Sequence, residues 1–408
     1  MPDRSSTISS GPDSPRPGRF LRADNLVGWL QRLVRHPSEQ SELHEKDPAI
    51  ARFIRECAAP LLDEIGVTYR YDAMGNLIAE IGPKSGPKSD PKSNSLLFVA
   101  YAMTHPAAGM AEPFSATIIE TPKGPAVRGR GVAEQKTALA ALFGALAEAV
   151  RGAPLAGRLT VALTTAGETG RHDAIDSVMH EIECMPQFAI VCIGTSKRIA
   201  IGNKGRIDFD VLVKGKASHS SAPWLGVNAI SGARRVLQAL DGLELDVPAH
   251  PHFGPATLTA TAIESAPKAS HTVPDLVRLT FDRRLLPGEN PDAAYGAIRD
   301  AIKLEKPWEV ECRLGPVMYP NEIATDGPLA TTLRKAFEIA GQPVPEQFYC
   351  NFALDAGYLG RKGIEAVMLG PGEVDQFHSS EEHVLISDMV AMANVYHRMI
   401  EQCLAPND

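Results

Sequence analysis

The chain has 408 residues, too many for one small core, and its 44% hydrophobic and 22% charged residues are the composition of a globular protein that buries a large one. A net charge of −8 creates no field that favours nucleic acid, so no nucleic-acid role is implied. The six cysteines (Cys57, Cys184, Cys192, Cys312, Cys350, Cys403) have neither paired nor metal-type spacing and read as reduced thiols, for which the cytoplasm fits best.

Residues 1–18, MPDRSSTISSGPDSPRPG, are rich in Ser, Pro and Gly and lack the apolar stretch of a signal peptide, which predicts a disordered tail. No run elsewhere is long enough to span a bilayer. Helical spacing covers 25–34 and 48–65, and YDAMGNLIAEIG at 71–82 reads as a hairpin turning at Met74-Gly75-Asn76. The segment 82–94, GPKSGPKSDPKSN, repeats Pro-Lys-Ser three times and predicts an extended solvated loop, because such a composition builds no core.

Apolar runs at 96–102, 159–165, 188–194 and 366–369 alternate with helical stretches such as 134–150. That alternation predicts an α/β sheet with helices on both faces. The first run is continuous and bounded by Ser/Asn and Pro-Ala-Ala-Gly, which suits a strand covered on both faces in a parallel sheet. Ligands gather at the carboxyl ends of such strands, so Tyr101, Met103 and His105 are weighed as site residues against plain packing. From 206 to 314 the order changes to strand (207–213), helix (228–240), strand (256–263), strand (276–282), helix (291–302) and strand (308–312). This is a split βαβ, ferredoxin-like order. The simplest organisation is an α/β domain over 19–205 and 315–408, interrupted by an inserted domain over 206–314.

Polar clusters stand at the strand ends: RGRGVAEQK (128–136), AGETG (166–170), IGTSK (193–197) and FHSSEE (377–382). With KASHSSAP (216–223), GVNAI (226–230), TVPD (272–275), DRRLLPGE (282–289) and GPG (370–372), these segments resemble the carboxypeptidase G, aminoacylase and succinyl-diaminopimelate desuccinylase family of co-catalytic zinc hydrolases, of the M20 peptidase type. The resemblance runs from about Asn25 to the C-terminus. It implies a zinc-exopeptidase-like fold, a mixed sheet with helices on both faces plus an inserted ferredoxin-like α+β dimerisation domain, and hence a homodimer. It also implies amide hydrolysis by paired zinc ions roughly 3.5–4 Å apart.

The family's motifs map onto this chain with departures. Its first His falls on Tyr101 and the supporting Asp on Met103; the bridging Asp falls on Glu134; a Glu-Glu pair falls on Gly167 and Glu168; a later acidic ligand falls on Thr195, and the C-terminal His on His378. The resemblance therefore implies at most one divalent metal, zinc in the first instance, held by Glu134, Glu168 and His378, or none. Gly167 stands where the family keeps the Glu that transfers a proton, and glycine moves none. His219 matches a His that stabilises the oxyanion in the partner subunit's site, and with Glu134 it is the catalytic candidate. Substrate binding falls to Arg284, matched to an Arg that grips a carboxylate, to His271, which replaces the usual Asn, and to Gly370 of a close-approach loop beside that carboxylate.

Alternatives stay open. His105 could replace a ligand or act as a base; His172 and Asp375 carry the same reading from weaker positions, and each of the three is equally a polar loop residue. Cys350, near Asp355, carries no sign of a reactive thiol. There is no Gly-x-Ser-x-Gly elbow, phosphate loop or Cys-x-x-Cys. One functional reading is a divergent hydrolase of a small carboxylate-bearing amide or related C–N compound. Its rival is a non-catalytic protein that binds such a ligand or regulates an active partner. A third is metal-free chemistry with Glu134, Glu168 or His105 as base.

Overall fold

In this computed structural model the residues described are 18–40, 44–83, 94–107, 109–167 and 169–406. The expected tail (but for Gly18), the Pro-Lys-Ser repeat at 84–93 and the candidate ligand Glu168 lie outside them.

The strand Ser95–Tyr101 is buried along its whole length. It pairs in parallel with Arg158–Thr164 on one side and Phe188–Cys192 on the other. Because side chains alternate across a strand, Leu96, Phe98 and Ala100 enter one apolar layer while Leu97, Val99 and Tyr101 enter the opposite one. From these the sheet grows outward in the order Arg70–Tyr71, Leu77–Ile81, Arg158–Thr164, Ser95–Tyr101, Phe188–Cys192, Glu365–Met368, Ile199–Asn203, Asn321–Glu322, with Gln347–Cys350 also on Ile199–Asn203. The middle four strands are parallel and the outer pairings largely antiparallel, so the sheet is mixed. The helices Thr137–Ala149 and Ile386–Leu404 supply much of one layer, through residues such as Phe143 and Tyr396. Asp173–Glu181 and Asp355–Arg361 supply the other, through Ile175 and Leu359.

The inserted unit follows the expected order, with strands Gly205–Lys214, Thr257–Ala266, Leu276–Leu285 and Glu309–Met318 and helices Ala229–Asp241 and Pro291–Ala301. Its four strands form one antiparallel sheet, arranged Thr257–Ala266, Leu276–Leu285, Gly205–Lys214, Glu309–Met318. It has its own core, in which Phe209 stacks on Phe281 with ring centroids 5.0 Å apart. The helices cover only one face. Along Leu276–Leu285 the residues Val277, Leu279, Phe281, Arg283 and Leu285 are buried, whereas Arg278 is exposed and Thr280, Asp282 and Arg284 half-buried on the other face. The edge strand Thr257–Ala266 is exposed at nearly every position.

The hairpin at 71–82 turns where expected. The Asp72 carboxylate accepts from the Met74 and Asn76 N–H groups at 2.9 Å each, and Gly75 takes the left-handed φ of +92°. Asn76, fully buried, then ties the hairpin to the loop after the next strand. Its Nδ2 donates to Asp72 (2.6 Å) and to the Ala174 carbonyl (2.9 Å), while its Oδ1 accepts from the Thr165 N–H (2.8 Å) and hydroxyl (3.1 Å). With Glu45, whose carbonyl also accepts from the Thr165 hydroxyl (2.8 Å) and whose carboxylate bonds Thr169 and the Ala174 N–H (2.8 Å), this amide ties down the residues on either side of the AGETG segment. Asn76→Ala leaves the buried Thr165 N–H without its acceptor, and urea titration should show a loss of about 1–3 kcal/mol; an unchanged midpoint would mean the loop is held by something else.

Candidate functional site

Three of the strand-end segments meet. Glu134 lies in a wide helical turn, Val132–Lys136, at the head of the helix Thr137–Ala149; the sequence reading had a regular helix from 134 onward. Gly131 begins the turn at φ +79°, and a Cβ there would sit 2.4 Å from Thr104, so the position demands glycine twice over. The turn is fixed by Glu382 of the FHSSEE segment. Its carboxylate accepts from the Gly131 N–H (3.0 Å) and the Ala133 N–H (2.9 Å) and pairs with Arg130 at 2.8 Å; both charged side chains are 1% exposed.

Four residues before Glu382, His378 places Nε2 3.2 Å from Oε1 of the buried Glu134. His378 holds a left-handed φ of +59°, uncommon for a non-glycine and typical of functional segments. His105 completes the group from the loop after the Ser95–Tyr101 strand, its ring centroid 3.7 Å from that of His378. That loop is anchored where Thr104 exchanges backbone hydrogen bonds with Ser38 (2.8 Å) and Gln40 (2.9 Å). One ligand atom from each of His105, Glu134 and His378 lies within 4.8 Å of the others. Two imidazoles and a carboxylate in such a group form a loose donor set that suits one divalent ion of the zinc type, or none. Next to it, the buried Lys136 ammonium reaches the Leu33 and His36 carbonyls at 2.9 and 3.1 Å, and burial pushes its pKa down to about 7, against the pull of Cys57 and Glu382.

The positions mapped to the other metal are closed by packing. Tyr101 is fully buried, and its hydroxyl accepts from the Asp355 N–H at 3.4 Å. A Cβ on Gly167 would lie 2.3 Å from the Tyr101 ring, so the aromatic occupies the space that any side chain at 167 would need. Met103 is buried with its sulfur 3.9 Å from Gln135 Nε2. The Thr195 hydroxyl donates to the Arg198 carbonyl (2.6 Å) and accepts from the Gly370 N–H (3.0 Å).

The substrate-side candidates stand apart from this cluster in the contacts they make. Arg284 offers its fork to Asp282, with Nε and Nη2 at 2.9 and 3.0 Å, and turns Nη1 toward the Asn351 carbonyl at 3.5 Å. Nearby Lys204 has its pKa lowered by burial and then by the Arg284 charge. His219 and His271 are both exposed in the inserted unit, ring centroids 5.9 Å apart, on or beside the short ladder Ser218–His219 with Thr272–Val273. Gly370 is needed for a close approach to the protein's own backbone: a Cβ would meet the Ile193 carbonyl at 2.2 Å. One buried pair was missed by sequence reasoning. His172 Nδ1 lies 2.7 Å from Asp355 Oδ1, its ring against Tyr319 and Tyr358, and a separation of 183 positions left no local signal.

Residues 201–310 match the peptidase dimerisation domain family. An acetylornithine deacetylase of Aliivibrio salmonicida is 27% identical over 223 residues, which span 53% of this chain and 57% of that protein. A succinyl-diaminopimelate desuccinylase of Rhodospirillum centenum is 23% identical over 346 residues, 82% of this chain and 86% of its own. Among solved structures, an M20 family metallo-carboxypeptidase from Sulfolobus solfataricus superposes with a TM-score of 0.74 at 16% identity, covering 93% of this chain and 99% of its own. A tripeptidase from Staphylococcus aureus gives 0.72 at 17% identity, covering 94% and 99%. The chain thus has the M20 peptidase and amidohydrolase fold, with a separate dimerisation-type α+β insertion and, among the described residues, a partial three-residue cluster at the site.

The Tyr101–Gly167 contact is testable as a coupling. Gly167→Ala alone should cost about 1–3 kcal/mol by overpacking, and far less in a Tyr101→Ala background, giving a coupling of the same order in a denaturant double-mutant cycle. Additive effects would mean that the ring and the glycine do not exclude each other.

Proposed function

We propose that this protein is a rebuilt, single-metal relative of the M20 amidohydrolases, acting on a small amide or related C–N compound that carries a carboxylate. The observation that carries the reading is the convergence of His105, Glu134 and His378 from three strand-end segments. Bound there, a divalent ion supplies Lewis acidity toward a carbonyl oxygen. Glu134 and His378 come from the family's motif, whereas His105 supplies a donor the motif lacks; Glu168 remains a proposed fourth. The ligand carboxylate is assigned to Arg284, whose Nη1 points away from Asp282, with the Lys204 ammonium adding positive charge nearby. His219 and His271 are assigned to the partner subunit's site, which accounts for two exposed imidazoles on a domain that resembles a dimerisation module.

The second reading is a non-catalytic protein that binds the same ligand class. It is favoured by one observation, the Tyr101 ring lodged over Gly167, which leaves no room for the proton-transferring carboxylate. Turnover of any member of a panel of N-acyl amino acids, lost in Glu134→Ala, separates the two: none turned over with zinc loaded would leave only the binder.

Two outcomes follow for the protein as purified. Equilibrated with zinc, it should hold no more than one tightly bound ion per chain by elemental analysis, and His105→Ala, Glu134→Ala or His378→Ala should each weaken that binding at least about tenfold. Two ions per wild-type chain, or binding indifferent to His105, would overturn the proposed ligand set. In sedimentation at micromolar concentration the chain should run as a dimer, and Ile263→Lys on the exposed strand Thr257–Ala266 should shift it toward monomer; a wild-type monomer would remove the partner-subunit role given to His219.

A further inference from the structure

Ligands of such sheets gather at the carboxyl ends of the parallel strands, and three of those ends meet at the His105, Glu134 and His378 cluster. His105 follows Ser95–Tyr101, Gly194 follows Phe188–Cys192, and the segment 370–372 follows Glu365–Met368. Backbone bonds draw them together: the Gly194 N–H donates to the Glu134 carbonyl at 2.8 Å, and the Thr195 and Lys197 N–H groups donate to the Gly370 carbonyl at 3.2 and 2.9 Å. Two aromatic rings stand among these polar ends. Phe377 precedes His378, with ring centroids 6.4 Å apart, and a Cβ on Gly194 would meet the Phe377 ring at 2.8 Å, so the glycine lets that ring lie across the strand end. Phe352 is 6.5 Å from Phe377, the two planes tilted by 51°.

Both rings are half-buried and pack against the apolar layer that holds Tyr101, Ile193 and Leu354. They are the edge at which this layer comes to the surface beside the cluster. Two other half-buried aromatics of the same layer are roofed by cations: the Arg198 guanidinium lies 4.2 Å from the Phe348 ring centroid, and that of Arg361 4.5 Å from the Tyr319 centroid. Among the described residues no cation lies over Phe352 or Phe377.

What the pair joins matters more than its exposure. At one end Phe377 is the neighbour in sequence of His378 and hence of the metal-type donors; at the other, Phe352 is the neighbour of Asn351, whose carbonyl faces Arg284 Nη1 at 3.5 Å. The two rings thus link, contact by contact, the group assigned to the ligand's carbonyl with the group assigned to its carboxylate. In an N-acyl amino acid the atom between the scissile nitrogen and the carboxylate is Cα, which carries the side chain. A side chain leaving Cα between those two anchors meets the rings. There a polar group would lose water without gaining a partner, whereas a flat apolar one gains burial and the edge-to-face or offset contacts of aromatic pairs.

We propose that Phe352 and Phe377 select the ligand's side chain, and that the preferred ligands are N-acyl derivatives of aromatic amino acids. The inference rests on the reading of Arg284 as the carboxylate grip, and the test separates the two. Calorimetry on the full-length protein equilibrated with zinc compares N-methanesulfonyl-phenylalanine with N-methanesulfonyl-alanine, whose sulfonamides replace the acyl amide and resist hydrolysis. The phenylalanine ligand should bind at least about tenfold more tightly. Phe352→Ala and Phe377→Ala should each remove most of that advantage and leave the alanine ligand nearly unchanged, a split that a merely structural role for the rings would not produce. Arg284→Ala should weaken both ligands by a similar factor. Should either alanine variant fail to fold, Phe352→Leu or Phe377→Leu takes its place, with the same split expected at smaller size. Equal affinity for the two ligands, with Arg284 still required, would overturn this inference and leave the carboxylate reading standing; so would ring variants that weaken both ligands alike. Binding of neither ligand, or binding indifferent to Arg284, would overturn the carboxylate reading and this inference with it.

Discussion

The site's geometry hangs on the carboxylate of Glu382. Fully enclosed, it gathers Arg130 and the N–H groups of Gly131 and Ala133, and so clamps the C-terminal FHSSEE segment to the head of a helix some 250 residues earlier in the chain. Burial pushes the Glu382 carboxyl pKa up; the two backbone donors and the guanidinium oppose that shift, which is the usual condition under which a charge survives inside a protein. Breaking such a pair by removing one partner is far costlier than never having built it, on the order of 3–5 kcal/mol. The clamp, together with the ladder that pairs His383–Leu385 with Arg128, Val127 and Ala126, brings Glu134 and His378 to 3.2 Å, since Glu134 lies one residue beyond the clamped Ala133 and His378 four residues before the clamp. Nothing in the cluster itself would hold two segments so distant in sequence against the entropy of the intervening chain.

A second constraint works by exclusion. The Tyr101 ring, the Gly167 backbone and the His172–Asp355 pair form one packed unit: the ring covers the glycine, the Tyr101 hydroxyl accepts from the Asp355 N–H, and Asp355 holds His172. A smaller ring at 101 with glycine at 167 would leave a void, and a glutamate at 167 under the tyrosine would not fit, so tyrosine at 101 and glycine at 167 go together. Thr195, in the turn between the strands Phe188–Cys192 and Ile199–Asn203, is absorbed in the same sense, its hydroxyl spent on Arg198 and on the Gly370 loop. The positions of Tyr101, Gly167 and Thr195 are therefore packed interior.

Much of this was legible in the sequence because it depends on periodicity and order. The buried Leu96–Ala100 run, the Asp72–Asn76 turn and the βαββαβ order of the inserted unit are local patterns, and local patterns specify local structure. What could not be read depends on where distant segments meet. A lone histidine in a loop, His105, carries no signal of its partners until the strand end is set beside the C-terminal loop. The second Glu of a Ser-Ser-Glu-Glu run looks like solvated surface, yet Glu382 is 1% exposed. The Gly-Pro-Gly segment announces close approach but not to what, and here the neighbours are the chain's own Ile193 and Ala133 carbonyls. The wide turn at 132–136 was invisible because one extra residue per turn leaves the apolar pattern of the helix after it unchanged.

The division of polar groups between the two units bears on how any ligand would be held. Among the described residues the metal-type donors His105, Glu134 and His378 all belong to the central unit, whereas Arg284, His219 and His271 belong to the inserted unit, Arg284 on the sheet face its helices leave uncovered and the two histidines on or beside a separate ladder. Arg284 reaches the central unit through the Asn351 carbonyl, and Arg206, on the strand beside it, lies so close to Gly170 that a Cβ there would meet its guanidinium at 2.3 Å. This junction brings the inserted unit's cations up to the loop that carries Gly167. The two histidines face each other, ring centroids 5.9 Å apart, and His219 Nδ1 lies 2.8 Å from the Ser221 hydroxyl. Under the proposed function, a carboxylate-bearing ligand spanning the junction would be gripped at one end by the inserted unit and polarised at the other by the central one.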